Sequence, residues 1–278
     1  MIKLKILSEN RDNCNFKGEG GLSVCVDAFN NQFLLDTGYS NLFIENAKML
    51  NVDLESIKTV VLTHGHSDHT NGVPYLPLNK TIIAHPSVFK DRWSIRKQEY
   101  VGFPISAEKL QENHNVILTS APYKVNDCCY FLGEIPMIID FEKNGNFSTA
   151  LNAELTIKDL TEDDSGVAIT TPEGLFVMTG CGHRGVCNTI EQAKKVTGEN
   201  KIWGVLGGFH LRSLEKQKSI IDSTIQYFKS NQIKYLYLGH CVTDDVIDYF
   251  EQNLNDVTII RLAAGKEFDI KFKGLSYE

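Results

Sequence analysis

The chain has 278 residues, 42% of them hydrophobic and 23% charged, with a formal charge of −7. This is the make-up of an ordinary globular protein with enough apolar material for a sizeable core. The acidic balance, with no basic block, argues against a broad nucleic-acid face, and no apolar run approaches the ~20 residues of a membrane span. Seven cysteines, none in CxxC pairs, exclude a disulfide framework and point to a reduced, cytoplasmic protein. The opening MIKLKILSEN alternates Lys with apolar residues and is expected to be a strand rather than a signal peptide.

In chain order, Ile2–Leu7, Leu22–Phe29 and Gln32–Leu35 read as strands, the last running into Asp36-Thr37-Gly38. Asn30-Asn31 suits a hairpin turn, because Asn tolerates positive φ. A helix is expected from about Leu42 to Leu50, then short buried strands at Thr59–Thr63 and Thr81–Ala84. From about 87 to 160 the pattern loosens, with strand-like Asn115–Thr119 and Met137–Asp140 among polar stretches. This region is the candidate for a substrate-shaping insertion. Beyond it strands and helices alternate: Val167–Thr170, Leu175–Thr179, a helix at Asn188–Val196, Ile202–Leu206 and a helix at Lys216–Phe228. Strand Lys234–Leu238, a helix at Asp244–Asn253, and strands Val257–Leu262 and Glu267–Phe272 complete it. Such alternation implies sheets covered by helices on their outer faces, in two similar halves.

The sharpest signal is Thr63-His64-Gly65-His66-Ser67-Asp68-His69, at the end of a buried strand. Extended alternation puts His64 and His66 on one side, and Asp68 and His69 enter a helix pointing back across the same space. Imidazoles with a carboxylate suit a borderline divalent ion such as zinc, and the string divides naturally into His64/His66 and Asp68/His69. With eight histidines in the whole chain, three in one such string are not expected by chance.

His183, His210 and His240 each follow a short apolar strand, in TGCGH, GGFH and GHC respectively. Open α/β sheets present ligand-binding groups at the carboxyl ends of strands, so a common rim is expected. His85, in AHP, is expected to be structural, and His114, in QENHN, solvated. Arg184, Arg212 and Lys266 flank the rim and could hold a phosphate or carboxylate. The adjacent Cys128-Cys129 read as core residues.

HGHSDH resembles the HxHxDH signature of the metallo-β-lactamase superfamily. Asp36-Thr37-Gly38 is similar to its early strand-end Asp, and His240 to its last metal histidine. GEGGLS at 18–23, GCGHRG at 180–185, GGFHL at 207–211 and GHC at 239–241 resemble, more narrowly, the 7,8-dihydropterin-6-methyl-4-(β-D-ribofuranosyl)aminobenzene 5′-phosphate synthase subfamily. The resemblance spans the chain. It implies one domain over residues 1–278 with the αββα fold, a four-layer sandwich of two mixed β-sheets with helices on the outer faces. The family's third histidine has no counterpart in Leu160–Ser165 (LTEDDS), and Cys181 stands at the bridging-Asp position. His183 or His210 is expected to replace the missing ligand, with Cys181 a thiolate ligand.

The expected protein is therefore a metal-dependent hydrolase or transferase acting on a phosphorylated or pterin-like small molecule. Its cofactor would be one or two zinc ions, with iron or manganese as alternatives. His64, His66 and His183 would hold one ion; Asp68, His69, His240 and Cys181 would hold the other. Asp68 would also handle the proton of an attacking water, and His210 would serve as a spare ligand or hydrogen-bond donor. The rival is an iron-binding redox protein on the same fold, for which Cys181 and Cys241 would be soft ligands. The partner in either case is a small molecule, not nucleic acid or a membrane.

Overall fold

The alternating start of the chain forms β1, Ile2–Ser8, in a computed structural model that describes residues 1–143 and 147–272. In chain order there follow β2 (Ser23–Ala28), β3 (Asn31–Leu35), α1 (Leu42–Met49), β4 (Thr59–Val61), α2 (Ser67–Thr70), β5 (Thr81–Ala84) and β6 (Trp93–Ser94). Next come α3 (Ala107–Asn113), β7 (Asn115–Leu118), β8 (Tyr123–Lys124), β9 (Cys129–Phe131), β10 (Thr149–Ala150), β11 (Gly166–Thr171) and β12 (Gly174–Thr179). The last are α4 (Val186–Thr197), β13 (Ile202–Gly207), α5 (Leu214–Ser230), β14 (Tyr235–Leu238), α6 (Asp244–Asn253), β15 (Thr258–Arg261) and β16 (Glu267–Ile270).

Internal contacts divide the chain into two compact units. The first comprises Met1–Ala121, Phe147–Asp163 and Ala263–Lys271; of the described residues, the second comprises 122–143, Asp164–Leu262 and Phe272. The first unit carries a seven-stranded sheet in the order β16-β1-β2-β3-β4-β5-β7, and β6 pairs separately with β10. Its sheet is antiparallel from β16 to β3 and parallel from β3 to β7. Its core sets Leu34, Val60, Leu62 and Ile82 with Phe43 and Ala47 of α1.

The second unit carries its own seven-stranded sheet, β15-β14-β13-β12-β11-β9-β8, parallel from β12 to β15 and antiparallel beyond. Its core sets Val177, Val205, Leu236 and Leu238 with Ile190 of α4, Ile221, Ile225 and Phe228 of α5, and Phe250 of α6. Parallel strands buried on both faces read as continuous apolar runs, and β12 and β13 are buried along their whole lengths. Two mixed sheets with accompanying helices match the expected class.

The loosely patterned stretch from 87 to 160 contributes strands to both sheets. β7 extends the first sheet, β8 and β9 extend the second, and the helix α3 was not apparent in the sequence. Met137–Asp140 is not a strand. The backbone N–H groups of Ile138 and Ile139 both donate to Asn188 Oδ1, at 2.8 Å each, so a side chain takes the bonds a strand neighbour would take.

Candidate metal centre

In the first unit, β4 delivers the chain into the HGHSDH loop, and the short helix α2 carries Asp68 and His69. Gly65 permits this path, because a Cβ there would lie 2.0 Å from the Val88 carbonyl oxygen. The His64 ring lies 4.6 Å from that of His66 and 4.2 Å from that of His69, centroid to centroid. His64 and His66 offer ligand atoms within 4.8 Å of each other. Asp68 Oδ1 lies 4.0 Å from His69 Nε2, and the Asp68 side chain keeps 31% exposure while His69 has none. The four expected donors are thus brought together.

Proton bookkeeping fixes which nitrogen each imidazole offers. Asp36, fully buried at the end of β3, accepts from Thr63 N–H (2.8 Å), Thr63 O–H (2.7 Å) and His69 Nδ1 (2.7 Å). A carboxylate only accepts, so His69 carries its proton on Nδ1 and offers the Nε2 lone pair. Thr63 gives its hydrogen to Asp36, so at 3.1 Å it can only accept from His64 Nδ1, and His64 also offers Nε2. His66 is the reverse. Thr149 Oγ1 donates to Asp159 (2.8 Å) and so accepts from His66 Nε2 (3.2 Å), which leaves Nδ1 of His66 as its donor atom. Partners that hold an imidazole in one tautomer are what a metal ligand needs.

Buried charge braces the loop from behind. Arg92, fully buried, donates to Asp159 (2.9 Å) and Asp163 (2.6 Å), and Asp163 accepts the N–H of Gly65 at 2.7 Å. Arg92 holds the Asp159 carboxyl below its usual range despite burial. Burial pushes Asp163 up, against the pull of Arg92. The LTEDDS segment, which lacks the expected histidine, therefore contributes this brace instead.

In the second unit, the loops after β12, β13 and β14 carry Cys181 and His183, His210, and His240. Thr179 Oγ1 donates to the Gly208 carbonyl (2.8 Å), and Gly208 N–H donates to that of Gly180 (2.9 Å), tying two loops together. The third is tied by Cys241, whose Sγ accepts the His210 N–H at 3.1 Å. Cys181 Sγ lies 3.1 Å from His240 Nε2, and the His183 and His210 rings lie 4.4 Å apart. His210 and His240 adopt left-handed φ values of 50° and 53°, and Asp36 one of 55°. His210 Nε2 is buried with no hydrogen-bond partner among the described residues. Burial, together with the nearby His183, holds its pKa well below the ordinary histidine value, so the ring stays neutral. A neutral, orphaned imidazole nitrogen is a donor atom awaiting an ion or a ligand proton.

Several readings are corrected. Arg184 is buried and engaged with Glu134 (2.9 Å) and the Ile135 carbonyl (2.7 Å) rather than waiting for an anion. His114 is not solvated: it is half-buried at the end of α3, where its Nδ1 accepts the Lys80 N–H. His85 is structural, as expected, accepting the Ser87 N–H at 3.1 Å. Cys129 is core, also as expected. Thr63, Thr149, Asp159, Asp163 and Arg92 were missed. Only Asp163, within an acidic run, carried any signal in the sequence.

The family model for the metallo-beta-lactamase superfamily matches residues 23–181, more than half of the chain. The chain belongs to the metallo-beta-lactamase superfamily. Within it, the chain is 30% identical over 283 residues to the 7,8-dihydropterin-6-methyl-4-(beta-D-ribofuranosyl)-aminobenzene-5′-phosphate synthase of Methanocaldococcus jannaschii, covering 95% of each protein. It is similar to the crystal structure of Tm1679, a metal-dependent hydrolase of the beta-lactamase superfamily, with a TM-score of 0.84 and 25% identity over 98% of this chain and 100% of that one. Zinc-bound PqqB from Methylobacterium extorquens shares the fold alone, with a TM-score of 0.53 and 12% identity over 96% of this chain and 100% of that one. The metallo-β-lactamase fold class expected from the sequence is therefore the one observed. Among the described residues, no helix is long and apolar enough to cross a membrane.

Proposed function

We propose that this member of the metallo-β-lactamase superfamily is a metal-dependent enzyme acting on a phosphorylated, pterin-like small molecule. His64, His66, Asp68 and His69 are the candidate ligands of the first unit, and Cys181, His183 and His240 those of the second. The observation that carries the reading is the proton assignment around Asp36, Thr63 and Thr149. It leaves a lone pair on Nε2 of His64, on Nε2 of His69 and on Nδ1 of His66. A bound divalent ion supplies Lewis acidity and lowers the pKa of water toward ~7. Asp68, partly exposed beside His69, is placed to accept a proton from a nucleophile, whether water or a substrate group. His210, neutral and buried, holds the second unit's remaining imidazole ready as a ligand or as a hydrogen-bond partner for developing charge. The pterin-like substrate class rests on the likeness to the archaeal synthase.

Elemental analysis of protein purified without added metal, followed by assay against phosphoesters and pterin-derived phosphates, tests this. A zinc-type ion with phosphoester or pterin-directed activity is expected, and both should vanish in H64A and D68N. Redox-active iron without such activity would favour an electron-transfer role, for which the Cys181 thiol, 3.1 Å from His240, supplies a soft donor. Protein that takes up no divalent ion under replete conditions would refute both.

A further inference from the structure

Behind His183, wholly within the second unit, lies a cavity of about 190 Å³ that the metal chemistry does not use. Its walls are apolar and partly aromatic, set by Phe141, Phe209 and Ile220, and its floor carries His183, Glu142 and Thr224. Floor and walls are buried apart from Phe141 and Ile220, which are half-buried, and the neighbouring Ser219 is exposed, so the cavity opens along α5. A cavity of ~150 Å³ accommodates a benzene ring, so this one has room for more than a single six-membered ring.

The polar groups at the floor are acceptors. Glu142 is fixed by the start of α4: Oε1 accepts the Cys187 N–H at 3.0 Å and Oε2 accepts the Asn188 N–H at 2.8 Å. The Cys187 thiol also hydrogen-bonds this carboxylate, which leaves it one lone-pair site beyond these three donors. Gly185 makes room for the carboxylate, since a Cβ there would lie 2.1 Å from Glu142 Oε2. Thr224 Oγ1 gives its hydrogen to the Ile220 carbonyl at 2.9 Å, so it too presents lone pairs. Burial raises the Glu142 carboxyl to about 7, which makes further donors to its ionised form favourable. A rigidly held carboxylate and a hydroxyl oxygen, set among apolar side chains, pair with two adjacent N–H donors on one edge of a planar ring.

We propose that this cavity seats the aminopyrimidinone edge of a flat heterocycle, its ring N–H and amino group donating to Glu142 and Thr224, with the ring lying between Phe209 and Ile220 against His183. The identification of that heterocycle with the substrate's pterin ring rests on the function proposed above. Placement there sets a substrate ring beside a candidate metal ligand and assigns specificity to Glu142 and Thr224, which no metal role requires.

Fluorescence titration of the full chain, metal-loaded and chelator-stripped, with pterin tests the proposal. Lumazine, in which oxygen replaces the 2-amino group, and isocytosine, which has the edge without the second ring, are the comparison probes. Pterin should bind in both metal states. Lumazine should bind roughly tenfold or more weakly, because one charge-assisted bond becomes a clash of acceptors. E142Q should lose a similar factor, I220W should block the slot without touching the carboxylate, and T224V should weaken pterin by a few-fold. If folded I220W and T224V bind pterin as the parent does, the ring sits elsewhere: the cavity assignment falls and the pterin reading stands. If isocytosine binds and I220W abolishes it while pterin does not bind, the cavity assignment stands and the pterin reading falls. Failure of all three probes to bind the parent protein overturns the assignment.

Discussion

Replacing Asp36 by Asn should separate metal binding from folding. The amide is nearly the same shape, but one carboxylate oxygen becomes an NH2 group. Oδ2 now accepts from Thr63 O–H and His69 Nδ1, both at 2.7 Å. In D36N the amide would donate instead, one hydrogen toward His69 Nδ1 and the other toward Thr63 Oγ1. His69 must then carry its proton on Nε2. Thr63, freed of Asp36, turns its hydroxyl toward His64 Nδ1, at 3.1 Å, and drives the His64 proton to Nε2 as well. Both imidazoles thereby present N–H where they had offered a lone pair. Loss of such an orienting partner weakens metal binding by about 10–100-fold per ligand. Two ligands together imply about 10²–10⁴-fold, or roughly 3–5 kcal/mol. The bonds re-form in reverse, so the metal-free fold should lose only the charge assistance, about 1–2 kcal/mol. Competition against a chelator of known affinity reads the first quantity, and thermal melting in excess chelator reads the second. Metal affinity unchanged in D36N, or a metal-free stability loss as large as the binding loss, would refute the proton assignment.

Other outcomes follow from the same structure. H183A should lower metal occupancy or activity at least ~10-fold, whereas H114A should leave metal content untouched; full retention in H183A with loss in H210A would move the ligand role to His210. R92L should strand Asp159 and Asp163 as buried carboxylates and destabilise the protein by about 3–5 kcal/mol, read by urea unfolding; a loss under 1 kcal/mol would mean the carboxyls are not held as charges. Burial raises the Glu142 carboxyl from an ordinary 4.5 to about 7, so the folded state holds its proton more tightly than the unfolded chain. Its contribution is complete below about pH 4.5 and is lost as pH rises to about 7, by up to about 3 kcal/mol. That slope should appear in metal-free unfolding curves and flatten in E142Q.

Much of the sheet framework was readable from apolar runs, because β4, β5, β12, β13 and β14 are short stretches whose burial leaves little choice of residue. The candidate metal donors of the first unit were readable because they lie within six residues of chain. What decides their protonation was not. Thr149 lies 83 residues from His66 in the chain, and Asp163 lies 98 residues from Gly65; no local period records such partnerships. Asp36 was legible as a strand-end Asp like the family's, but its reach to one imidazole directly and through Thr63 to a second depends on which oxygen each donor meets. Met137–Asp140 failed as a strand for a related reason: its pattern was right, and a distant Asn188 took its N–H groups. Glu142 looked like one charge in a polar stretch because its burial is supplied by α4 and Gly185.

The left-handed backbone at Asp36, His210 and His240 carries one more consequence. Side chains other than glycine resist that conformation, at about 1–3 kcal/mol for each residue so held. The chain therefore gives up heat resistance at three positions of its candidate site. A laboratory selection for thermal survival alone would be drawn to glycine or asparagine at 210 and 240, and would return a sturdier protein stripped of two candidate ligands.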